Sequence, residues 1–275
     1  MNFEQIKAQI NKFVNDELFT LEPWILNCEW TEKLPKLNEL RDKVKAKGLW
    51  LPQIPKNYGG LGLTNAQHGE VSEILGSSPY GHYVFNCQAP DAGNMEILIE
   101  FGTKEQKKEY LQPLLNGDTR SCFAMTEPDF AGSNPVNMGT IAEIKGDQYV
   151  INGHKWFTSG FDGAEFAIVM LVSNPKSDNP HKKASQIIVP TKTKGVEFVR
   201  NVQIMGHSGG GWESHAEIKF HDVKVPLKNV LGGDGEGFSI AQKRLGPGRI
   251  HHCMRWIGIC AVSYTHLTLP TSFEV

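Results

Sequence analysis

The chain has few cysteines, and their arrangement does not suggest a disulfide framework or a metal site. Its five cysteines are scattered over 275 residues, and no two of them form a Cys-x-x-Cys pair. An odd and dispersed set of this kind is not typical of a disulfide-stabilised domain or of structural zinc. His251, His252 and Cys253 are adjacent, and adjacent side chains do not converge from one helix face. We therefore expect no metal.

The sequence also lacks long apolar runs and a strong net charge. No apolar segment approaches the ~18–20 residues that a membrane-spanning helix needs. The formal net charge is −2, which gives no electrostatic reason to expect nucleic acid or an anionic membrane as a partner. The first residues show neither the basic-then-apolar order of a signal peptide nor the acid-poor character of a transit peptide. We expect a cytoplasmic protein.

What is present is an N-terminal region with the apolar spacing of helices. Thr64 with Gln67, and Thr103 with Gln106, have the spacing of a capping box, which begins a helix. The apolar residues that share a helical stripe are Phe3, Ile6, Ile10, Phe13, Val14 and Leu18, and then Leu34, Leu37, Leu40 and Val44. These patterns predict an α-helical domain over residues 1–120.

From residue 121 onward the pattern is that of strands. Thr140–Lys145 and Tyr149–Asn152 flank Gly146-Asp147, which predicts a hairpin. Further strands are expected at Phe166–Ser173, Ser185–Val189 and Val196–Val199. These segments predict an all-β domain over residues 121–230.

The clearest of the expected strands is His215–Val225. Its apolar residues alternate with polar ones until His221-Asp222, where the alternation slips by one position. One extra residue in a strand has this effect on the alternation. The sequence therefore predicts a β-bulge near His221-Asp222.

Helical character returns after the glycine-rich segment Gly232–Gly237. This segment lacks the Lys-Ser/Thr ending of a phosphate-binding loop, so we interpret it as a flexible connection between domains. Phe238 is expected to begin one helix and Arg249 a second. The sequence thus predicts the start of a C-terminal α-helical domain over residues 231–261.

The most informative segment runs from Cys122 to Pro135. It opens as an apolar strand and breaks into a loop rich in Pro, Gly, Ser and Asn. A loop at the end of a rigid strand can present hydroxyls and backbone N–H groups to a small ligand. The residues by themselves leave open the alternative of a plain surface turn.

The residue order in this segment resembles a known motif. Met-Thr-Glu-Pro-Asp-x-Ala-Gly-Ser-Asn, beginning at Met125, is similar to the flavin- and CoA-contacting signature of the acyl-CoA dehydrogenases. The other segments that resemble this family are Phe85–Asp91 with Gly93–Glu96, Lys104–Lys108, Asn152–Gly160 and Leu245–Arg255. Several of them are similar to the subgroup often fused to a kinase-like domain in animals. The resemblance covers residues from about 20 to 261.

The resemblance implies the overall class as α+β. It places an N-terminal α-helical domain first, then a small β-barrel as the middle domain, and then the start of a C-terminal helical-bundle domain. It also implies FAD as the cofactor. In the first motif the implied cofactor-contacting residues are Phe123, Met125, Thr126 and Ser133. Glu127 lies in the same motif, but the family does not use it as a catalytic base.

The second motif implies further flavin contacts. The resemblance assigns them to Trp156, Thr158 and Ser159. The segment is one residue shorter than the common Lys-x-Trp-x-Thr pattern, so the assignment among Trp156, Phe157, Thr158 and Ser159 stays open by one position. Trp156 could instead be an aromatic residue of the barrel core.

The resemblance also implies where the substrate binds. Ser133 would lie near the pantetheine and pyrophosphate of acyl-CoA, and Arg249 near the acyl-CoA pocket. A solvent-facing position at a helix start is the alternative for Arg249. His251 and His252 are expected to serve packing or an interface.

The implied activity is α,β-desaturation of an acyl-CoA thioester, with hydride transfer to flavin N5 and electron-transfer flavoprotein as the acceptor. The full-length form is expected to be a homodimer or homotetramer. A flavin oxidase or monooxygenase on the same fold, and a non-catalytic flavin- or CoA-binding fragment, are the alternatives.

The final residues depart from the family pattern. Residues 262–275 are rich in Thr and β-branched residues, contain Pro270, and resemble a non-native tail. The family's proton-abstracting carboxylate would lie beyond residue 261, so the resemblance implies no catalytic residue within this chain. We expect the 275-residue chain to bind flavin poorly and to turn over no acyl-CoA.

Overall fold

The computed structural model describes residues 1–267, which form two compact units. Each unit draws on segments that are distant in sequence. The first unit contains residues 1–28, 36–87 and 247–267, and the second contains residues 29–35 and 88–246. The domain limits at residues 120, 230 and 261 stay a prediction.

The first unit is helical, as predicted. Its elements are α1 (Phe3–Phe13), a π-helical turn (Val14–Leu18), α2 (Phe19–Ile25), most of α3 (Trp30–Ala46), α4 (Asn65–Gly76) and α5 (Gly81–Val84). The predicted capping box begins α4: the Thr64 hydroxyl accepts from the Gln67 N–H, and the Gln67 side chain accepts from the Thr64 N–H. The apolar stripe of α1 is buried at Ile6, Ile10 and Phe13.

Short helices open the second unit. They are α6 (Asp91–Phe101), α7 (Lys104–Gln106), a π-helical turn (Lys107–Leu111) and α8 (Gln112–Asn116). The second predicted capping box begins α7 at Thr103. The prediction of helices through the first 120 residues is therefore confirmed.

A seven-stranded sheet follows within the second unit. Its strands are β1 (Ser121–Ala124), β2 (Ile141–Lys145), β3 (Gln148–Ser159), β4 (Phe166–Val172), β5 (Ala184–Pro190), β6 (Val196–Asn201) and β7 (His215–Pro226). The hydrogen-bonded order is β1-β4-β2-β3-β7-β6, and β5 pairs with β4. The sheet is a curled half-barrel, so the middle domain is a partly open version of the expected barrel.

Both local predictions for the sheet are confirmed. β2 and β3 form an antiparallel hairpin in which Lys145 is opposite Gln148, and Gly146 has the positive φ, +65°, that a tight turn needs. In β7, His221 and Asp222 are both exposed, and Asp222 has φ +49°. The bulge therefore lies where the apolar alternation slips.

One buried cluster lies on a single face of the curled sheet, named here the core face. Alternate residues of several strands contribute to it, because successive side chains of a strand point to opposite faces. Its members include Cys122, Ala124, Val169, Ile218 and Phe220. The cluster positions β1 and β3, which carry the motifs described above.

The C-terminal part differs from expectation. Residues Gly237–His266 form one continuous helix, α9, with Pro247 inside it, so the prediction of two helices is wrong. Pro247 costs one backbone hydrogen bond, and the preceding Gly246 has no Cβ to clash with the proline ring. Among the described helices none combines the length and apolar content that a membrane crossing requires.

The glycine-rich connection also differs from expectation, whereas the non-native origin of residues 262–275 stays a prediction. The Asp234 carboxylate accepts from the hydroxyls of Ser173 and Ser185, and the Gly235 N–H donates to Ser185 Oγ. The connection is therefore tied to the sheet by hydrogen bonds. α9 continues to His266, five residues beyond the expected end of helical character at residue 261. Residues 268–275 lie outside the described part of the chain.

Candidate functional site

The first motif begins on β1, whose side chains alternate between two environments. Cys122 and Ala124 belong to the cluster on the core face of the sheet. Phe123 and Met125 point the other way: the Phe123 ring lies 4.1 Å from the Arg244 guanidinium, and Met125 packs on a smaller cluster that contains Met170 and Ala241. The side chains of Phe123 and Met125 are thus engaged in packing, and the Met125 carbonyl accepts from Lys155, so the Met125 N–H is the group that remains for a ligand.

Arg244, in the first turns of α9, contacts this side of β1. Its guanidinium donates to Asn94 Oδ1 at 3.0 Å and to the Pro90 carbonyl at 3.2 Å. Asn94 in turn donates to the Ser121 hydroxyl and to the Cys122 carbonyl. A chain of hydrogen bonds therefore joins α9 through α6 to the strand that carries the motif.

The loop after β1 leaves the sheet and returns to the same edge of β4. Ala124 is paired with Val169 of β4, and Ile141 is paired with Val172. The loop of residues 125–140 therefore leaves β4 beside Val169 and returns to the same strand beside Val172, three residues further along. The loop borders an open depression lined by residues that include Met125, Thr126, Glu127, Gly132 and Asn137.

The second motif lies directly against the first. The Trp156 N–H donates to the Thr126 carbonyl at 3.1 Å, and the Thr126 hydroxyl donates to the Trp156 carbonyl at 2.8 Å. Two segments that are thirty residues apart in sequence are thus joined by a pair of hydrogen bonds. The structure brings together the two motifs that the sequence singled out.

A bulge in β3 sets the directions of the side chains in the second motif. Lys155 is opposite Ile218 and Thr158 is opposite Ala216, so Trp156 and Phe157 together face a single residue, Glu217. Ile218 and Ala216 belong to the cluster on the core face, so Lys155 and Thr158 share that face. A two-against-one bulge therefore turns both aromatic residues away from the core.

Trp156 and Phe157 form an aromatic pair on this outer face. Their ring centroids are 4.9 Å apart, and 41% of Phe157 is exposed. Phe157 has φ +48°, a left-handed conformation that is unfavourable for a bulky residue and that clusters at functional sites. The alternative of Trp156 as a core aromatic does not fit this placement.

The hydroxyls of the second motif differ in accessibility. Thr158 is fully buried, and its Oγ1 has no hydrogen-bond partner among residues 1–267. Ser159 is half-buried, and its Oγ lies 2.7 Å from His215 Nδ1. Burial lowers the pKa of His215, with a smaller contribution from His207. The more accessible hydroxyl is that of Ser159, one position after Thr158.

Between the two motifs lies a buried ion pair that the sequence did not single out. Lys155 is 0% exposed and donates to Glu127 Oε1 at 2.7 Å and to the Met125 carbonyl at 2.8 Å. Burial lowers the pKa of Lys155 to about 8, against the attraction of Glu127. Burial alone would raise the pKa of Glu127, but Lys155 and hydrogen bonds from Thr140 and Gly139 hold it below its usual value.

The predicted substrate residues have different surroundings. Ser133 is exposed on the loop 125–140, where it is free to meet a ligand. Arg249 is exposed on α9 and belongs to the first unit, whereas Ser133 belongs to the second. Their joint role at one substrate stays a prediction. Of the adjacent histidines, His251 packs against His68 at 4.4 Å between ring centroids, both within the first unit.

The backbone at the end of β1 fits a planar ligand with acceptors along one edge. Met125 and Thr126 are half-buried, and neither N–H donates to an acceptor within the described residues 1–267. Most backbone N–H groups in folded proteins are paired, so two neighbouring free donors beside a depression indicate a ligand site. The pyrimidine edge of a flavin carries acceptors of this kind.

The pKa of Glu96, on the helix that packs on β1, gives a test of this packing. Burial raises that pKa to about 7 from the ordinary value of 4.5, although Arg244 opposes the shift. The folded state then binds the proton of the Glu96 carboxyl more tightly than the unfolded state does. The protonated carboxyl therefore contributes its full stability below pH 4.5, and this contribution is lost as the pH rises toward 7. We expect Glu96→Gln to raise the melting temperature at about pH 8 and to leave it unchanged at about pH 4.5.

Thermal unfolding followed at both pH values checks this expectation. Glu100→Gln is the matched control, because Glu100 lies on the same helix and is exposed. An equal gain for Glu96→Gln at both pH values would contradict the role of the buried carboxyl.

Two family models match this chain. Residues 2–118 match the N-terminal domain of acyl-CoA dehydrogenases, and residues 122–223 match their middle domain. The chain is 42% identical over 268 residues to acyl-CoA dehydrogenase family member 10 of Mus musculus, a match that covers 92% of this chain and 25% of that protein. It is 42% identical over 265 residues to family member 11 of Gallus gallus, which covers 93% of this chain and 34% of that protein.

A solved structure agrees with these relatives. A member of the family from Mycobacterium abscessus is 37% identical and superposes with a TM-score of 0.90, covering 96% of this chain and 68% of that one. The chain thus spans a quarter to a third of the length of these two curated relatives, and about two thirds of the solved one. Both helical and sheet regions of this chain therefore belong to the acyl-CoA dehydrogenase family.

Proposed function

We propose that the chain supplies the flavin-edge and CoA-loop part of an FAD-dependent acyl-CoA dehydrogenase. Such an enzyme introduces an α,β double bond into an acyl-CoA thioester. The observation that carries the proposal is the pairing of Thr126 with Trp156, which joins the two motifs beside the free N–H groups of Met125 and Thr126. Family membership agrees with it.

The residues of the site would position a flavin rather than react with it. The N–H groups of Met125 and Thr126 would donate to its pyrimidine edge, and Trp156 with Phe157 would pack beside its rings. When bound, FAD supplies the hydride acceptor at N5. Holding a cofactor and an acyl chain in a fixed mutual orientation is a large part of the catalysis of such a transfer.

The second motif would contribute a hydroxyl. Ser159 is more accessible than Thr158, so we assign this contact to Ser159 and a packing role to Thr158. The side chains of Phe123 and Met125 would act indirectly, because they hold β1 against Arg244 and the second cluster. The sequence left the assignment in this motif open by one position, and we choose Ser159 over Thr158 as the residue that supplies the hydroxyl.

The substrate and the partners follow from the family. Ser133 would contact the CoA arm from the loop, and Arg249 would offer its guanidinium to acyl-CoA. An electron-transfer flavoprotein would accept the electrons, the full-length protein would be a homodimer or homotetramer, and it would act in the cytoplasm. The base that removes the α-proton is not assigned to a residue of this chain.

The proposal is tested by anaerobic addition of a saturated acyl-CoA to the FAD-loaded protein. The chain spans a quarter of the mouse relative's length. The assay is therefore run on two proteins: one expressed from the reading frame of the genomic locus, and one that consists of residues 1–275. Loss of the visible flavin absorption and formation of the enoyl-CoA support the dehydrogenase. Turnover that needs only oxygen would indicate an oxidase, and FAD binding without turnover a binding protein.

A further inference from the structure

Lys155 is a fully buried lysine whose charge the proposed reaction does not use. It lies on the core face of the sheet, opposite Ile218, which belongs to the buried cluster there. Burying an ammonium among apolar groups is costly unless it is paired and hydrogen-bonded. Its partners are Glu127 and the Met125 carbonyl, and both lie in the first motif.

The bond to Met125 fixes the direction of one peptide group. In a trans peptide the C=O and the following N–H point in opposite directions. The Met125 carbonyl points to the buried Lys155 ammonium, so the Thr126 N–H must point away from it. That N–H is one of the two donors without a protein acceptor in residues 1–267.

Glu127 extends the effect of Lys155 to the other end of the loop. Its carboxylate accepts from the Gly139 N–H at 2.5 Å and from the Thr140 N–H at 3.0 Å. These residues bring the loop back to the sheet just before β2. One buried ion pair therefore ties both ends of residues 125–140, which border the depression.

We infer that Lys155 is a positioning residue for the flavin: through Met125 it turns the Thr126 N–H toward the ligand, and through Glu127 it holds the loop closed at its base. The inference rests on the proposed function. An ion pair that only stabilised the fold would not require the additional hydrogen bond from Lys155 to the Met125 carbonyl, which fixes the Met125–Thr126 peptide. A positioning role predicts that FAD affinity and folding stability respond separately to changes at Lys155.

The experiment compares Lys155→Met with Lys33→Met. Lys33 is also buried in an ion pair of the second unit, at 3.3 Å from Glu213, so it controls for the loss of a buried lysine. We expect both variants to lower the melting temperature. Only Lys155→Met should weaken FAD binding, by about tenfold or more at a temperature where both are folded, because a misplaced donor loses its hydrogen bond to the ligand.

A second variant removes the unpaired charge of Glu127. Lys155→Met leaves the Glu127 carboxylate buried and unpaired, so Lys155→Met/Glu127→Gln should recover melting temperature. The Met125 carbonyl still lacks its donor, so FAD affinity and the visible spectrum of bound FAD should stay altered. Recovery of affinity together with stability would overturn the inference and leave Lys155 a purely structural role.

A third measurement needs no variant. Hydrogen exchange of the Thr126 amide should slow when FAD is added to the wild-type protein, because the N–H then donates to the ligand. Wild-type protein that binds FAD with unchanged exchange at Thr126 contradicts the inference alone. Wild-type protein expressed from the reading frame of its genomic locus that binds no FAD contradicts the proposed function instead.

Discussion

Asp91→Ala is expected to lower the free energy of unfolding by about 3–5 kcal/mol, because it leaves several buried hydrogen-bond donors without an acceptor. Asp91 is 1% exposed at the start of α6. Its Oδ1 accepts from the Ser121 N–H at 2.7 Å and from the Ser121 hydroxyl at 2.6 Å, and its Oδ2 accepts from Gln88 Nε2 at 2.8 Å. Ser121 begins β1, so the loss should also loosen the strand that carries the site.

Asp91→Asn is the matched control. Burial raises the pKa of Asp91, against hydrogen bonds from Ser121 and the charge of Arg120, so a neutral group suits this position. The side-chain oxygen of the introduced asparagine would keep both bonds to Ser121. Gln88 Oε1 is buried without a partner among the described residues, so a flipped Gln88 amide could accept from the NH₂ group of that asparagine.

Urea denaturation of the two variants measures the difference. We expect a loss for Asp91→Asn of about 1 kcal/mol or less, well below that for Asp91→Ala. Equal losses for the two variants would show that the negative charge matters, and that the geometry of the acceptor does not.

Gly211→Ala is expected to destabilise the second unit by about 3 kcal/mol or more, since it combines a clash with backbone strain. Gly211 has φ +55°, and a Cβ at this position would lie 2.0 Å from Nε1 of Trp30. Trp30 is itself only 8% exposed. The indole would have to leave its site, so its fluorescence should change together with the melting temperature.

Gly210→Ala is the control for this substitution. A Cβ at Gly210 would lie 3.4 Å from the Cβ of Trp30, which is ordinary contact, and the residue has an extended conformation. We expect a change within about 0.5 kcal/mol. A melting temperature for Gly211→Ala close to that of Gly210→Ala would mean that the segment carrying Trp30 can move without cost.

Local rules predicted much of the fold. The two capping boxes, the hairpin turn at Gly146 and the bulge at Asp222 each depend on residues close in sequence, so their signals are contained in short segments. The single helix α9 was not predicted, because Pro247 is a strong local stop signal. Here one lost hydrogen bond did not outweigh the bonds on either side.

The site was predicted only in part. The resemblance named Met125, Thr126 and Trp156, and the structure pairs the last two. It did not reveal that Lys155 and Glu127 form the ion pair between the motifs, since lysines are mostly exposed in folded proteins. A Lys at a core-facing position of an alternating strand could have given that signal, but the bulge at Trp156 and Phe157 breaks the alternation.

The sequence by itself determined the helical and sheet regions, the family and the two motif segments, because these follow from local spacing and residue order. The tertiary structure decided which atoms of the motifs remain free for a ligand. The β3 bulge, the parallel pairing of β1 with β4 and the burial of Lys155 all depend on contacts between distant segments. The direction of a peptide group or a hydroxyl is set by such contacts, and sequence order does not specify them.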